Sequence, residues 1–546
     1  MYRKFLSYTS IVLFLAIFFS SCSKKVLEET PLSFYSVSNS YVTAADFQTA
    51  ITKLYSETRD QYNCNVGNRH NYLLGTDLCI NAITDNWPLN TYVALTPSAG
   101  FSSLIWNYDY KLIFDANVII TEIEKNITID TVTRNEIKAE GLFFRAFGYR
   151  NLADIFGGVP LVLKEINAPA RNYVRSTRDS VFQQCAADLE FASKYLYDVP
   201  AAKDGQVNKA TAYHLLSEIY ISLKRWDDAI TAASAAINNP AVALMTNRFG
   251  TKASQPGDVY SDLFRNGNYN KSEGNTEGLW VIQWSYNNLG SPQPGDQLGW
   301  YVTPLYVNVV LDDGVAAFPA PNQALDGFGI GWLKPTWQTS QSVWQSDFNN
   351  DVRNSPYNII RDAKVLNPAS KYYGQYVGAN HLIQPYDTSR NWYPIYTKTA
   401  RWNDAQSQDV VNATTGEVNY NSSTNKDYYM FRLAETYLLR AEAYLGKSDN
   451  VDAAKDINVL RTRAHASPVD PANVTIDYIL DERLRELSWE EMRLTTLTRL
   501  GLLADRCRKY NPLAGKDIKD YQNLYPIPFS EIENNTEAVL TQNPGY

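Results

Sequence analysis

A stripe of mostly apolar residues, with one small and one polar member, runs at three- and four-residue steps before the motif GGVP. The stripe runs through Ile137, Gly141, Phe144, Phe147, Asn151 and Ile155. This spacing places one face of an α-helix against a core. The glycines and proline at 157–160 predict the end of that helix, because they commonly terminate helices. From about residue 41 onward, the pattern is that of a mainly helical protein.

One helix pair is visible as a repeat. Residues 207–240 resemble a tetratricopeptide repeat, which consists of two antiparallel helices with a period of about 34 residues. Tyr220 stands where that repeat has a tyrosine, and Ala229 and Ala236 stand where it has small residues. Small side chains let the second helix approach the first closely, so we expect Ala229 at a helix contact.

A second copy of this helix pair begins at Arg432 with RLAETYLLRAEAYL. Tyr444 and Ala453 repeat the nine-residue offset between Tyr220 and Ala229. Two copies so far apart in the chain are weak evidence for a continuous solenoid. They favour a tetratricopeptide-like helical scaffold into which a long segment is inserted.

Composition marks the inserted segment. Residues 246–425 are a third of the chain but hold 8 of its 12 tryptophans, 11 of 24 prolines and 15 of 27 glycines. Proline and glycine at this density indicate loops. One strand is predicted at 279–284, and the helical pattern returns at Tyr428 and runs to about Cys507. We therefore divide the body into an N-terminal scaffold at 41–245, a loop-rich ligand-binding insert at 246–425 and a C-terminal helical part at 426–546 packed on the same scaffold.

At the N-terminus, positively charged residues are followed by an apolar run and then by small residues. Arg3 and Lys4 precede an apolar run at 11–19 that is too short to cross a bilayer as a helix. This order predicts a secretory signal peptide at 1–21. Cys22 follows two serines and looks like the lipid attachment site of a bacterial lipoprotein, with 22–40 as a polar tether. The alternative is an ordinary signal peptide with a chance cysteine.

Charge and cysteine content narrow the function. The net charge of −8 and pI near 5.3 argue against nucleic acid, which requires clustered lysine and arginine. Hydrophobic residues are 45% and charged residues 20%, as in globular proteins. The remaining cysteines show no metal-binding spacing and allow three disulfide pairings. They are Cys64, Cys79, Cys185 and Cys507.

Several stretches together resemble the SusD/RagB family. They are FFRAFGYRNLADIFGGVPLV (143–162), RLAETYLLRAEAYL (432–445) with INVLRTRA (457–464), DERLRELSWEEMR (481–493) and the terminal YPIPFSEIENN…LTQNPGY (525–546). The resemblance implies a surface lipoprotein of the outer membrane, lipid-anchored and facing outside, that binds nutrients for a SusC-like TonB-dependent transporter. An oligosaccharide is the expected cargo. A peptide cargo, or an enzyme of glycan breakdown, are the alternatives.

Aromatic loops supply the candidate binding residues. Aromatic rings offer flat apolar faces to sugar rings, and neighbouring amides and hydroxyls bond sugar hydroxyls. One candidate loop is TDNWPLNTY (84–92), and two others are GWYVTPLY (299–306) and GFGIGWLKPTW (327–337). For any single ring, burial as packing is the competing interpretation. The candidates are Trp87, Asn90, Tyr92, Trp300, Tyr301, Trp332 and Trp337.

No catalytic constellation stands out, so we expect a protein without enzyme activity. A glycosidase needs two carboxylates across a cleft, and among 58 Asp and Glu none is singled out. Glu490 and Glu491, beside Arg493, indicate a solvated or ion-paired helix face. No cofactor or metal is expected, although a structural calcium ion could occupy the loop around Asp347 and Asp351.

Overall fold

The computed structural model describes most of the chain after residue 39. The described residues are 40–65, 67–285, 295–378, 389–399, 412, 414–417 and 424–546. The predicted signal peptide, Cys22 and all of the predicted tether except Ser40 lie outside them. Within the described residues, no helix has both the length and the apolar content needed to cross a bilayer.

Helices dominate the described part. They are α1 Ala44–Gln61, α2 Pro88–Thr91, α3 Gly100–Lys125, α4 Thr131–Phe156, α5 Arg178–Tyr195, α6 Lys209–Ser222, α7 Trp226–Ile237, α8 Val259–Leu263, α9 Leu298–Val302, α10 Trp337–Ser340, α11 Leu433–Gly446, α12 Asn450–Arg463, α13 Ile476–Leu487, α14 Arg493–Leu500, α15 Leu503–Tyr510, α16 Ala514–Asp517 and α17 Phe529–Asn534. Short 3₁₀ turns, such as Arg69–Tyr72, lie between them. The prediction of a mainly helical protein is confirmed.

The strands are short and pair in twos. They are β1 Cys79–Asn81, β2 Gly278–Ile282, β3 Leu333–Pro335, β4 Ile359–Ile360, β5 Ile395–Tyr396 and β6 Tyr428–Arg432. The antiparallel pairs are β1–β3, β2–β6 and β4–β5. Little strand was predicted, and little is found in the described residues.

The predicted helix with the apolar stripe is α4. Its N-cap Asp130 accepts hydrogen bonds from the backbone N–H groups of Val132 and Thr133, and it ends before Gly157, whose φ is 77°. Gly148 lies against the neighbouring helix α3, and a Cβ there would come within 3.2 Å of the Asp109 carbonyl oxygen. Helix α4 is therefore buried along most of its length between neighbouring helices.

The two predicted repeat copies lie side by side. Helices α3 to α7 pack in sequence, and α11 packs on both α6 and α7 before pairing with α12. The Arg440 guanidinium donates to the Ser234 hydroxyl at 3.0 Å, which ties α11 to α7. Ala229 and Ala453 are fully buried, as expected for close helix contacts. The chain thus leaves the helical array after α7 and rejoins it at α11.

The junction at residue 428 differs from the sequence prediction. Residues 428–432 form strand β6 rather than the start of a helix, and α11 begins at Leu433. Strand β2, close to the strand predicted at 279–284, supplies the partner: Gly278 pairs with Arg432 and Ile282 with Tyr428. A strand partner distant in the chain overrides local helical periodicity here.

The core follows the same division. One large apolar cluster joins the helices, while a smaller cluster within the insert includes Tyr306, Phe318 and Trp392. The Phe318 and Trp392 rings stack with centroids 5.6 Å apart. The four cysteines of the described part are buried free thiols. The insert therefore has packed side chains of its own, in addition to those that join the helical core.

Candidate ligand-binding surface

The first candidate loop is attached to strand β1. Trp87 is the N-cap residue of the short helix α2, whose first residue is a proline. The Asn90 side-chain amide donates to the carbonyls of Asn81, at 2.8 Å, and Thr84, at 3.0 Å, and its oxygen accepts from Asn81 N–H at 2.9 Å. These three bonds fix the loop that carries Trp87.

Backbone hydrogen bonds bring the other two candidate loops together. Ile330 N–H donates to the Trp300 carbonyl at 3.0 Å, and Ala82 N–H donates to the Trp332 carbonyl at 2.9 Å. Gly329 permits this approach, because a Cβ at that position would lie 2.1 Å from the Thr303 carbonyl oxygen. Strand β3 pairs with β1, so all three loops meet at one place.

Four candidate rings meet there, and we name them the aromatic platform: Trp87, Trp300, Tyr301 and Trp332. The Trp332 ring centroid lies 5.8 Å from that of Trp87 and 4.5 Å from that of Tyr301. The Trp300 and Tyr301 centroids are 5.5 Å apart. The three tryptophans are half-buried against the core, whereas Tyr301 is buried. Part of each tryptophan is therefore accessible to a ligand.

His70 extends the platform, and sequence reasoning did not single it out. Its ring centroid lies 4.7 Å from that of Trp332 and 5.9 Å from that of Tyr301. Burial lowers the pKa of His70 to about 4, so the imidazole is neutral at neutral pH. The platform and His70 therefore present no formal charge. Phe328, also unpredicted, has its ring 6.3 Å from Trp300.

The remaining three candidates lie differently. Asn90 is fully buried in the hydrogen bonds that hold its loop. Tyr92 is also fully buried, with its hydroxyl donating to the Gly75 carbonyl at 2.8 Å. Neither has exposed surface for a ligand in this conformation. Trp337 is the first residue of α10 and is 52% exposed. The TDNWPLNTY pattern could not separate the partly accessible Trp87 ring from the residues that anchor its loop.

The candidate carboxylates have arginine or lysine partners. Glu490 accepts from Arg432 at 2.7 Å and from Lys398 at 2.8 Å, and Glu491 accepts from Arg483 at 2.8 Å. The structure has the ion-paired interpretation, but Glu490 and Glu491 lie in the turn between α13 and α14 rather than on a helix face. Such pairs neutralise carboxylates rather than poise them for proton transfer.

The acidic loop considered for calcium has similar partners. Asp347 accepts from Arg461 at 2.7 Å, and Asp351 accepts from Arg353 at 2.7 Å. In the described part of the chain, no three His, Cys, Asp or Glu side chains are grouped so that they could hold a metal ion. The Asp347 and Asp351 carboxylates are thus engaged by arginine side chains.

Family models match both parts of the chain. Residues 242–546 match the model described as the SusD family, and residues 28–221 match one described as starch-binding and associating with the outer membrane. The first match covers more than half of the chain.

Individual relatives match over nearly their full length. The chain is 25% identical to SusD-like protein P25 of Formosa agariphila, covering 98% of this chain and 99% of that protein. It is 24% identical to the starch-binding protein SusD of Bacteroides thetaiotaomicron, covering 89% and 85% of the two chains. Both relatives therefore align with the scaffold as well as the insert.

Solved structures share the fold. A laminarin-binding SusD-like protein superposes with a TM-score of 0.68 at 21% identity, over 93% of this chain and 100% of that one. Surface glycan-binding protein A of Bacteroides thetaiotaomicron, in complex with laminarihexaose, gives a TM-score of 0.65 at 20% identity, over 91% and 99%. At these identities the likeness extends to the fold alone.

Proposed function

Because this chain belongs to the SusD family, we propose that it is a surface glycan-binding lipoprotein that passes an oligosaccharide to a SusC-like transporter. The observation that carries this proposal is the aromatic platform. Half-buried Trp87 meets two half-buried tryptophans that lie more than 200 residues later in the chain, Trp300 and Trp332. Relatives described as starch- or laminarin-binding support the same ligand class.

The chemistry of the platform favours a neutral sugar. Pyranose rings have C–H faces that pack on aromatic faces, while their hydroxyls bond to neighbouring polar groups. The platform residues are uncharged, and the buried His70 ring beside them is neutral. An acidic glycan would find no formal positive charge on these five side chains. We therefore place the ligand against Trp87, Trp300 and Trp332.

Calorimetric titration with glycans and peptides chosen from a binding array tests the site. Each of Trp87→Ala, Trp300→Ala and Trp332→Ala should weaken glycan binding by on the order of 1–3 kcal/mol, as for aromatic stacking on other flat ligands. Trp337→Ala asks whether the fourth tryptophan contributes. The control is Phe348→Ala, a ring that is 42% exposed and stacks on Arg361.

Thermal melts of the same variants separate contact from packing. Removing a ring that only packs against the core would lower the free energy of unfolding by roughly 3–5 kcal/mol and change the affinity little. Unchanged affinity in all three variants would place the site elsewhere, and selective binding of peptides would replace the glycan as cargo.

The proposal includes binding without cleavage. Pure protein incubated with a polysaccharide panel should release no shorter products, as measured by chromatography. Appearance of products that persists in independent preparations would make the protein a glycan-degrading enzyme. This readout is independent of the ring variants.

Membrane attachment is a separate part of the proposal. Cys22 carries the lipid, and Cys22→Ala should release the protein from the outer-membrane fraction, since the acyl chains provide the anchor. The SusC-like partner should co-purify with the wild-type protein after mild detergent extraction. An alanine variant that still sediments with outer membranes after a high-salt wash would contradict the anchor.

A further inference from the structure

A second concave surface lies on the helical scaffold, and we name it the helix cleft. It has a volume of about 410 Å³ and lies between α3, the segment around 160–173 and α17. Its lining includes Trp106, Tyr110, Phe114, Tyr173 and Glu531. None of these belongs to the aromatic platform. Its volume is within the ordinary range of small-ligand sites.

Three rings follow one face of α3. Trp106, Tyr110 and Phe114 are four residues apart, so they lie on successive turns. The Trp106 and Tyr110 centroids are 4.8 Å apart, and those of Tyr110 and Phe114 are 5.6 Å apart. The Tyr110 hydroxyl donates to the Pro160 carbonyl at 2.8 Å, which fixes the middle ring. Phe114, at the end of the row, is 37% exposed.

Polar groups that can still form hydrogen bonds lie at the other wall of the cleft. Glu531 accepts a hydrogen bond from Trp106, and partial burial raises its pKa. The structure records no ion pair for Glu531 among the described residues. Tyr173 lies close enough to Glu531 for the carboxylate to raise its pKa further, after burial, and its hydroxyl makes no hydrogen bond to the described part of the chain.

The backbone holds this wall in place. Tyr173 N–H donates to the Asn535 side-chain oxygen at 2.8 Å, and the Asn535 amide donates back to the Tyr173 carbonyl at 2.8 Å. Asn535 directly follows α17, which carries Glu531. The phenol and the carboxylate are therefore positioned together before any ligand arrives.

The charges around the cleft disfavour an anion. Lys111 lies between Glu57 and Asp115, and Lys53 contacts Asp115 at 2.9 Å, so both ammonium groups have carboxylate partners. Glu531 adds a carboxylate without a recorded cation. An anionic ligand would meet that carboxylate with both lysines already engaged, whereas a neutral hydroxyl can donate to it.

We propose that the helix cleft is a second binding site, for a neutral sugar residue that packs against the ring row of α3 and donates a hydroxyl to Glu531. This inference rests on the proposed glycan-binding function and extends it to two sites on one chain. Sugar C–H faces suit Phe114 and Tyr110, and Tyr173 donates to or accepts from a second hydroxyl. A long polysaccharide that engages both sites would be held with greater avidity than either site gives alone.

The test uses the full mature chain titrated with laminarihexaose, maltohexaose, cellohexaose and mannohexaose, by calorimetry and by saturation-transfer NMR for weak binding. Wild-type protein should bind one of them at two sites. Trp332→Ala should weaken one site and leave the other at its wild-type affinity, and adding Phe114→Ala should remove the site that Trp332→Ala leaves unchanged. Tyr173→Phe removes only a hydroxyl and should weaken the remaining site roughly tenfold, a loss of about 1.4 kcal/mol. Phe348→Ala is the matched control and should change neither site.

The outcomes separate the two proposals. Loss of all binding in Trp332→Ala, with a normal thermal melt, would overturn the helix cleft and leave the platform. A site that keeps its wild-type affinity in Trp332→Ala, is lost when Phe114→Ala is added and is weakened when Tyr173→Phe is added supports the cleft. Unchanged binding in both cleft variants on the Trp332→Ala background would overturn the cleft as well. Absence of binding by the wild type, for these sugars and the glycan array alike, would overturn the glycan function itself.

Discussion

Buried carboxyl groups in two regions of the helical array have opposite partners. Glu140 on α4 accepts from the Tyr55 hydroxyl at 2.8 Å and the Gln206 amide at 3.1 Å, both neutral donors. Glu482 on α13 instead accepts from Arg353 at 2.8 Å and Arg461 at 2.9 Å. Both carboxyl groups are almost completely removed from water. The two regions therefore test what the partner alone contributes.

The pKa values move in opposite directions. Burial raises the pKa of Glu140 to about 7, and its two neutral donors only partly offset the effect. Burial would also raise the pKa of Glu482, but Arg485, Arg353 and Arg461 outweigh it and lower the pKa to about 2. Burial alone would raise both pKa values, and the charge of the hydrogen-bonding partners decides the direction of the net shift.

Removing the charge of Glu482 should have the largest effect on stability. Glu482→Gln leaves three buried arginine side chains short of a counter-charge, and breaking a buried pair in this way costs roughly 3–5 kcal/mol. Chemical denaturation at neutral pH measures the change. The control is Asp452→Asn, which breaks the exposed Asp452–Lys455 pair and should leave the midpoint unchanged. An equal effect of the two variants would mean that the buried ion pairs of Glu482 stabilise the fold no more than an exposed pair does.

The difference in stability between the parent and Glu140→Gln should depend on pH in the sense expected for a raised pKa. A carboxyl whose folded pKa is raised stabilises fully below its unfolded value near 4.5, and that stability is lost as pH rises to about 7. At about 1.4 kcal/mol per pKa unit, the parent should lose about 3 kcal/mol relative to the glutamine variant across this range. Denaturation at a series of pH values measures the difference, with exposed Glu124→Gln as control. A difference that stays constant with pH would contradict the raised pKa.

For Glu482 the pH range over which stability changes lies below pH 4.5. Its folded pKa is lowered, so its stabilisation is present above pH 4.5 and is lost as pH falls to about 2. Acid titration of the wild type and Glu482→Gln should therefore converge in this range. Curves that diverge further on acidification would show that the arginine partners do not hold the carboxylate ionised.

Substitutions that change packing but not charge give a reference for the effects of the two carboxyl groups. Ala229→Leu in α7 and Ala453→Leu in α12 should each cost roughly 1–3 kcal/mol, because the added atoms overpack a close helix contact. Neither change should depend on pH between 4.5 and 8. Thr231→Leu, on the exposed face of α7, is the matched control. Melts of the alanine variants that match the parent would mean that these helices do not approach as closely as the structure has them.

Local pattern was enough for much of the scaffold. The stripe ending at GGVP predicted α4, and the nine-residue tyrosine–alanine offset identified the pairs α6–α7 and α11–α12. Helical periodicity, caps and terminating glycines act over a few residues, so one sequence contains them in full. The Trp-rich loops were also visible, because composition is a local property.

Contacts between distant residues needed the tertiary structure. Strand β6 exists because β2 lies beside it, and Glu490 is ion-paired because Arg432 and Lys398 reach it from other segments. Asn90 and Tyr92 stand in the same loop as Trp87, yet their bonds to distant backbone turn them inward. His70 joins the platform with no local signal at all.

The sequence by itself therefore determined a helical scaffold, the family and a set of aromatic loops suited to a sugar. Only the tertiary structure decided that Trp87, Trp300 and Trp332 meet while their neighbours anchor the loops. The physical reason is the separation along the chain over which each interaction acts. Helix formation depends on residues three or four positions apart, whereas burial and ring contacts depend on groups hundreds of residues apart that folding brings within a few ångströms.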